Sequence, residues 1–260
     1  MKIVTRLWVI LVIMCSAFGA SAQHTAKNLN IVFIGNSITY GANLDSPKTQ
    51  APPVVAAKYL SGRKGIGKVN YSNQGHSGYT TLDFALHTVG FEQVENAARA
   101  FHDQNALLIF SIDLGTNDSA IKGPNGSPVP PKEFPLYLMT MLDGLLSDFP
   151  GSIVIIHHPI WYSPNTYNGA MYLQEGLSRL QAYFPKIDSL SIYYQQTGDR
   201  DRVFTGDTKA FDYFKKNYLT DLTPEEGHQG TFYLHPNAKG GAALGTFWAQ
   251  AIYNIVTGLK

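Results

Sequence analysis

From residue 28 onward, short apolar runs alternate with longer amphipathic stretches, and this alternation restricts the chain to a small set of folds. Runs at 30–34, 69–72, 106–112, 152–157 and 187–191 read as strands, and several lack the in/out alternation of a half-buried strand. Continuous apolar strands are those covered on both faces, as in a parallel sheet. Helical periodicity falls between and after them, at 51–60, 91–102, 131–148, 170–183 and 238–256. The β-α-β-α order predicts an α/β sandwich with right-handed crossovers. At 260 residues and 44% hydrophobic, the chain can bury one sizeable core, and no repeat or linker divides it.

Two segments interrupt the alternation. Residues 122–131 form a stiff Pro/Gly-rich loop, and residues 193–232 are rich in Asp, Lys and aromatic side chains. Both lie near strand ends, where open parallel sheets bind ligands.

The first 22 residues have a different character. Lys2 and Arg6 precede an apolar run that ends at Ala20-Ser21-Ala22, the n-region, h-region and A-x-A site of a secretory signal peptide. The run is short for a membrane span, which needs about 20 apolar residues. We therefore expect a leader over 1–22, a mature domain over 23–260, and a secreted or periplasmic protein with no stable membrane insertion. Cys15, the only cysteine, lies in the leader, so the mature chain has no disulfide; a lipid anchor at Cys15 is the rival reading. A net charge of +1 with no basic run argues against nucleic acid as a partner. Without H-E-x-x-H, cysteine pairs or a D-x-D-x-D-G loop, no metal is expected, and without a phosphate loop or G-x-G-x-x-G, no nucleotide cofactor.

Four short stretches carry chemistry. Gly35-Asn36-Ser37-Ile38-Thr39 follows the first strand, Asn73-Gln74-Gly75-His76-Ser77-Gly78 the second, and Gly115-Thr116-Asn117-Asp118 the third, while His235-Pro236-Asn237 opens the last helix. A serine nucleophile needs a base within hydrogen-bond reach and donors aimed at the developing oxyanion. Each stretch alone also fits a strand-to-helix turn or a helix cap; their joint order is the signal.

In that order they resemble the blocks of the SGNH hydrolases, the GDSL-type esterase/lipase superfamily, across the whole mature chain. The resemblance implies a three-layer α/β/α sandwich, flavodoxin-like, of about five parallel strands, with Ser37 as nucleophile and His235 as general base. It also implies that Gly78 donates its backbone N–H and Asn117 its side-chain amide to the oxyanion. Asn36 stands where the family usually has Asp, keeping an acceptor oxygen for the turn. Phe232 stands where the family's last block, D-x-x-H-P, has the Asp that orients the histidine. Three readings stay open: the Phe232 backbone carbonyl takes that role, an upstream carboxylate (Asp221, Glu225 or Glu226) swings in, or the site is a dyad with weak or lost activity.

Asn36, His76, His158 and Tyr162 are candidates for contacting substrate. His157 and His158 are neighbours on a strand and point to opposite faces, so they do not chelate one metal as a pair. Trp161, Tyr162, Tyr167, Tyr172, Tyr193, Tyr194 and Tyr233 supply amphipathic rings suited to sugars. Together these readings predict an exported serine esterase acting on O-acyl, chiefly O-acetyl, groups of a small-molecule or oligosaccharide ester, such as a plant polysaccharide fragment or an acetylated sialic acid. The alternatives are a lysophospholipase or thioesterase built on the same residues, and a non-catalytic carbohydrate-binding protein.

Overall fold

The computed structural model describes residues 26–199 and 201–259, so the expected leader, including Cys15, lies outside the described residues. Strands β1 (Lys27–Gly35), β2 (Ile66–Gly75), β3 (Leu107–Asp113), β4 (Ile153–Ile156) and β5 (Val203–Thr205) form one sheet in the order β2-β1-β3-β4-β5. Every pairing in it is parallel. Two one-turn helices, α1 (Ser37–Tyr40) and α2 (Pro47–Gln50), follow β1 and lead into α3 (Pro52–Ser61). Then come α4 (Val89–Arg99), α5 (Phe134–Asp148), α6 (Leu173–Thr197), α7 (Ala210–Asp221) and α8 (Ala238–Gly258). The step from β1 to β2 runs opposite to the later steps across the sheet. Right-handed crossovers therefore put α3 on one face and α4, α5 and α6 on the other, and α8 packs against α3. This is the expected three-layer α/β/α sandwich.

Central position explains the strand compositions. In β1, Leu29, Ile31, Val32, Phe33 and Ile34 are all fully buried, because β2 and β3 flank it and helices cover both faces. Each such side chain contributes about 1.5–3 kcal/mol of burial. Phe33 stacks on Trp248 of α8, with ring centroids 6.1 Å apart.

A polar thread crosses the same layer. The Asp207 amide donates to His157 Nδ1 at 2.9 Å, which leaves Nε2 to carry the ring proton toward Ser111 Oγ, also at 2.9 Å. Burial, helped by neighbouring His158, pushes His157 down to about 3, so its ring stays neutral. Asp113, at the end of β3, is buried, and among the described residues neither carboxylate oxygen has a hydrogen-bond partner. Burial, reinforced by the Asp207 carboxylate, raises it to about 8.

The structure departs from the sequence reading in one region. Residues 187–191 are not a strand but part of α6, where Leu177, Leu180, Tyr183, Ile187, Leu190 and Tyr194 make one buried stripe. Pro185 inside that helix breaks the local pattern, so a short window shows only an apolar run. The fifth strand is the three-residue β5 instead. Residues 193–232, read as lying outside the alternation, hold the end of α6, β5, α7 and most of an antiparallel hairpin, β6 (Leu222–Gly227) with β7 (Gly230–Pro236). His235 thus ends a strand rather than opening a helix. Asn237 is the cap of α8, its side chain accepting from the Lys239 and Gly240 amides.

Two stability outcomes follow. Phe33→Ala should cost about 3–5 kcal/mol of unfolding free energy in urea titrations; a loss well under that would mean β1 is not the packed centre. Between the ordinary carboxylate range and pH about 8, folded Asp113 keeps a proton that the unfolded chain releases, so its contribution to stability falls as pH rises through that window. Asp113→Asn should therefore stabilise the protein by about 1–3 kcal/mol at pH 8 and change little at pH 4. Equal effects at both pH values would contradict the assignment.

Candidate active site

The strand order reverses direction at β1 and β3, and the crevice outside their carboxyl ends is where such sheets bind ligands. Ser37 lies there because Asn36 caps α1: its Oδ1 accepts from the Ile38 amide at 2.9 Å. This is the turn-organising role that the acceptor oxygen at Asn36 was expected to keep. The side chain is buried behind the turn, so Asn36 does not line the pocket as a substrate contact.

The end of β2 locks onto α1. Asn73 Nδ2 donates to the Thr39 carbonyl and Asn73 Oδ1 accepts from the Gly75 amide, both at 2.9 Å. A Cβ at Gly75 would collide with the Tyr40 backbone, so glycine permits this approach. Three residues on, Gly78 has φ +85° and lines the pocket with no atom near where a Cβ would stand.

Asn117, after β3, has its amide oriented from both ends. Tyr172 OH donates to Oδ1 at 2.7 Å, and Nδ2 donates to the Tyr79 carbonyl at 2.8 Å. One amide hydrogen remains for a ligand. Burial pushes the Tyr172 phenol up, which keeps it a donor. Next to it, Asp118 accepts from the Thr81 amide at 2.9 Å and from its hydroxyl. Burial raises Asp118 to about 6, and those bonds hold the shift back.

The Ser37 hydroxyl meets His235 Nε2 at 2.9 Å, although 198 residues separate them. The other ring nitrogen, Nδ1, meets both oxygens of Glu225, at 2.9 and 3.1 Å. Hairpin register explains how Glu225 arrives. Glu225 pairs with Phe232 and Pro224 with Tyr233, but Leu222 pairs with Pro236. Between the last two pairs β6 advances two residues while β7 advances three, so β7 carries an extra residue at 234–235. A bulge of this kind re-aims a side chain; here it turns His235 to the face that holds Glu225. Burial alone would raise Glu225, but the His235 hydrogen bond and charge, with Asn43 adding, bring it below the usual carboxylate range.

Two expectations for the orienting group are therefore corrected. The Phe232 carbonyl is not the partner of His235 Nδ1, because Glu225 occupies it; the Phe232 side chain packs in the core at 1% exposure. Glu226, next along β6, points the other way, is exposed and accepts from Thr231 Oγ1 at 2.9 Å. Asp221 is engaged elsewhere, with Lys239 and the Tyr213 hydroxyl, each at 2.7 Å.

Ser37, Gly78, Asn117 and His235 line one cavity of about 560 Å³. The candidate contacts His76, His158 and Tyr162 do not. His76 stacks on Tyr79 at 4.7 Å, and burial lowers its pKa. His158 bonds Asp188 at 3.0 Å and stacks on Phe184. Tyr162 is fully buried with its hydroxyl 2.9 Å from Ser119 Oγ, an edge-on support for Tyr172. The walls include Ser77, Tyr79, Asp83, Asn125, Asn168 and Tyr172; Gly123, Pro124 and Asn125 come from the Pro/Gly-rich loop. Of these, the sequence marked Tyr172 as one ring among seven, Ser77 within the second block, and Gly123, Pro124 and Asn125 within the Pro/Gly-rich loop; Tyr79, Asp83 and Asn168 carried no signal there. A larger depression, about 910 Å³, lies at the opposite rim among the strand starts, away from this chemistry. Among the described residues, no three His, Cys, Asp or Glu side chains gather as they would around a metal, and no helix is long and apolar enough to cross a membrane.

Comparison with known proteins agrees with the geometry. The family described as GDSL-like Lipase/Acylhydrolase matches residues 33–243. The chain is similar in structure to Est24, a carbohydrate acetylesterase from Sinorhizobium meliloti, at 18% identity and TM-score 0.57, covering 87% of this chain and 99% of that one. It is similar to the aryl esterase of M. smegmatis at 15% identity and TM-score 0.55, covering 88% and 100%. It also resembles a two-domain esterase active on acetylated mannans, at 18% identity and TM-score 0.52, covering 90% of this chain and 51% of that one. At these identities the likeness shows a shared fold. No curated protein matches the chain. With the family match spanning most of its length, the chain belongs to the GDSL-like lipase/acylhydrolase family of SGNH carboxylic ester hydrolases.

Proposed function

We propose that the protein is an exported serine esterase that removes O-acyl, chiefly O-acetyl, groups from carbohydrate by a Ser37-His235-Glu225 mechanism. The observation that carries this reading is the continuous contact from Ser37 Oγ through both ring nitrogens of His235 to Glu225. His235 Nε2 takes the hydroxyl proton as Ser37 Oγ bonds to the ester carbonyl carbon. The carbonyl electron pair moves to oxygen, where the Ser37 and Gly78 amides and the free hydrogen of Asn117 receive it. His235 then returns the proton to the departing alkoxide, leaving an acyl-serine. Water, deprotonated by His235, attacks that ester; the acid leaves and Ser37 regains its proton. Glu225 holds the ring in the tautomer with Nδ1–H and balances the imidazolium that forms at each step.

Three features support a sugar rather than a lipid. The cavity presents three amide side chains, Asn117, Asn125 and Asn168, with Ser77, Asp83 and two tyrosines, groups that pair with hydroxyls. Only four of its lining residues, Ala42, Pro124, Ala170 and Leu234, have aliphatic side chains. The neighbours described as a carbohydrate acetylesterase and as an esterase active on acetylated mannans fit the same choice. Export rests on the leader-like residues 1–22.

The roles are separable in 4-nitrophenyl acetate hydrolysis by folded protein. Ser37→Ala and His235→Ala should abolish turnover. Glu225→Gln should lower kcat by about 10³–10⁴-fold, whereas Glu226→Gln leaves kcat unaltered. Equal kcat for Glu225→Gln and the parent would return the orienting role to the backbone. Asn117→Ala should cost about 10²–10³-fold in kcat; a change confined to KM would remove it from the oxyanion site. Octanoyl esters should be cleaved at least about tenfold less efficiently than acetyl esters, and the opposite order would favour a lysophospholipase.

A further inference from the structure

A second hollow adjoins the pocket. It measures about 440 Å³ and is lined by Asn168, Gly169, Glu226, Gly227 and His228; the first two also line the cavity around Ser37, so the hollows form one groove. Its walls are the loop at 165–170 and the tip of the β6–β7 hairpin, fixed to each other. Asn165 Nδ2 donates to the Thr231 carbonyl at 2.9 Å, and the His228 amide to the Tyr167 carbonyl at 2.8 Å. The Tyr167 and His228 rings lie 4.5 Å apart. A Cβ at Gly227 would press on the Tyr167 carbonyl and the Phe232 ring, so the close fit requires glycine.

We propose that this second hollow is a subsite for a further sugar unit, so that the preferred substrate is an O-acetylated, uncharged oligosaccharide rather than an acetylated monosaccharide or an acidic glycan. The inference rests on the esterase reading of Ser37 and names its substrate more closely. Length comes from strand geometry: His228 is three residues beyond Glu225, roughly 10 Å along an extended chain, farther than one sugar ring reaches. Chemistry comes from the lining. Glu226 has an oxygen beyond its bond to Thr231, and Asn168 uses Oδ1 on the Ala170 amide, leaving Nδ2 without a protein partner among the described residues. A carboxylate and an amide pair with vicinal hydroxyls, and the exposed His228 ring offers a face to sugar C–H groups. Charge comes from what borders the groove: Asp83 and Glu226 are present, while no lysine or arginine lines either hollow among the described residues. A uronate or sialate carboxylate would enter without a counter-ion and against like charge. The acetylated sialic acid considered from the sequence is therefore disfavoured.

The test measures acetate release from O-acetylated monosaccharides and tetrasaccharides of xylose and mannose, with an acetylated galacturonate tetramer and 4-nitrophenyl acetate alongside. In at least one neutral series, kcat/KM for the tetramer should exceed that for the monomer, and that for the galacturonate tetramer, by about tenfold or more. His228→Ala and Glu226→Gln should each reduce the tetramer-to-monomer ratio several-fold, read as a ratio within each variant. If the esters are cleaved but the ratios sit near one, or both variants keep the parent ratio, the subsite is overturned while the esterase reading stands. A preference for the galacturonate tetramer overturns the charge argument. If even 4-nitrophenyl acetate is untouched, the underlying reading fails and the subsite with it.

Discussion

The imidazole of His235 is held between two parts of the chain that reach it by different routes. Ser37 comes from the turn after the central strand, and its position follows from the buried core around β1. Glu225 comes from a hairpin outside the sheet and depends on one extra residue in β7 to face the ring. Both partners are largely shielded, with side-chain exposures of 11% for His235 and 17% for Glu225. Shielding strengthens the contact and raises the cost of leaving either partner alone. In the proposed mechanism that geometry gives the serine a base of fixed tautomer and gives the base a counter-ion.

The remaining donors depend on the same sheet. β1, β2 and β3 end side by side, with Gly35 paired to both Gly75 and Asp113, so Ser37, Gly78 and Asn117 emerge within one crevice. Hydrogen bonds between loops then fix the detail: Asn73 ties β2 to α1, while Tyr172 and the Tyr79 carbonyl fix the Asn117 amide. In the proposed mechanism these groups are the oxyanion donors, and a donor set oriented before substrate arrives needs little rearrangement as charge develops. The hairpin has a second consequence, since one β-strand places Glu225 on the base and Glu226 at the groove beyond it.

Much of this was legible in the sequence. Continuous apolar runs such as 30–34 and 106–112 can only be covered on both faces, and that condition led to the parallel sheet. Gly35-Asn36-Ser37 and Gly115-Thr116-Asn117 read correctly as strand-end turns because glycine and asparagine mark such turns locally. The orienting acid was less accessible. Glu225, Glu226 and Asp221 are chemically equivalent in the sequence, and the choice depends on hairpin register and a bulge, which are long-range properties. Pro224 and two adjacent glutamates leave β6 without the apolar run that marks a strand, and Pro185 split a single 25-residue helix into an apparent helix and strand. Tyr162 and His158 were mistaken for pocket residues for a related reason: ring chemistry is visible in a sequence, but the direction a ring faces is set by packing.

The central claim is that Glu225, through His235, makes Ser37 unusually nucleophilic. Reaction with a fluorophosphonate probe measures that property directly, with the labelled residue located by mass spectrometry of the digested protein. The account requires a single adduct on Ser37 that forms rapidly in the parent and far more slowly in a folded Glu225→Ala variant. Labelling at another serine, or the same rate at Ser37 with and without the glutamate, would contradict it.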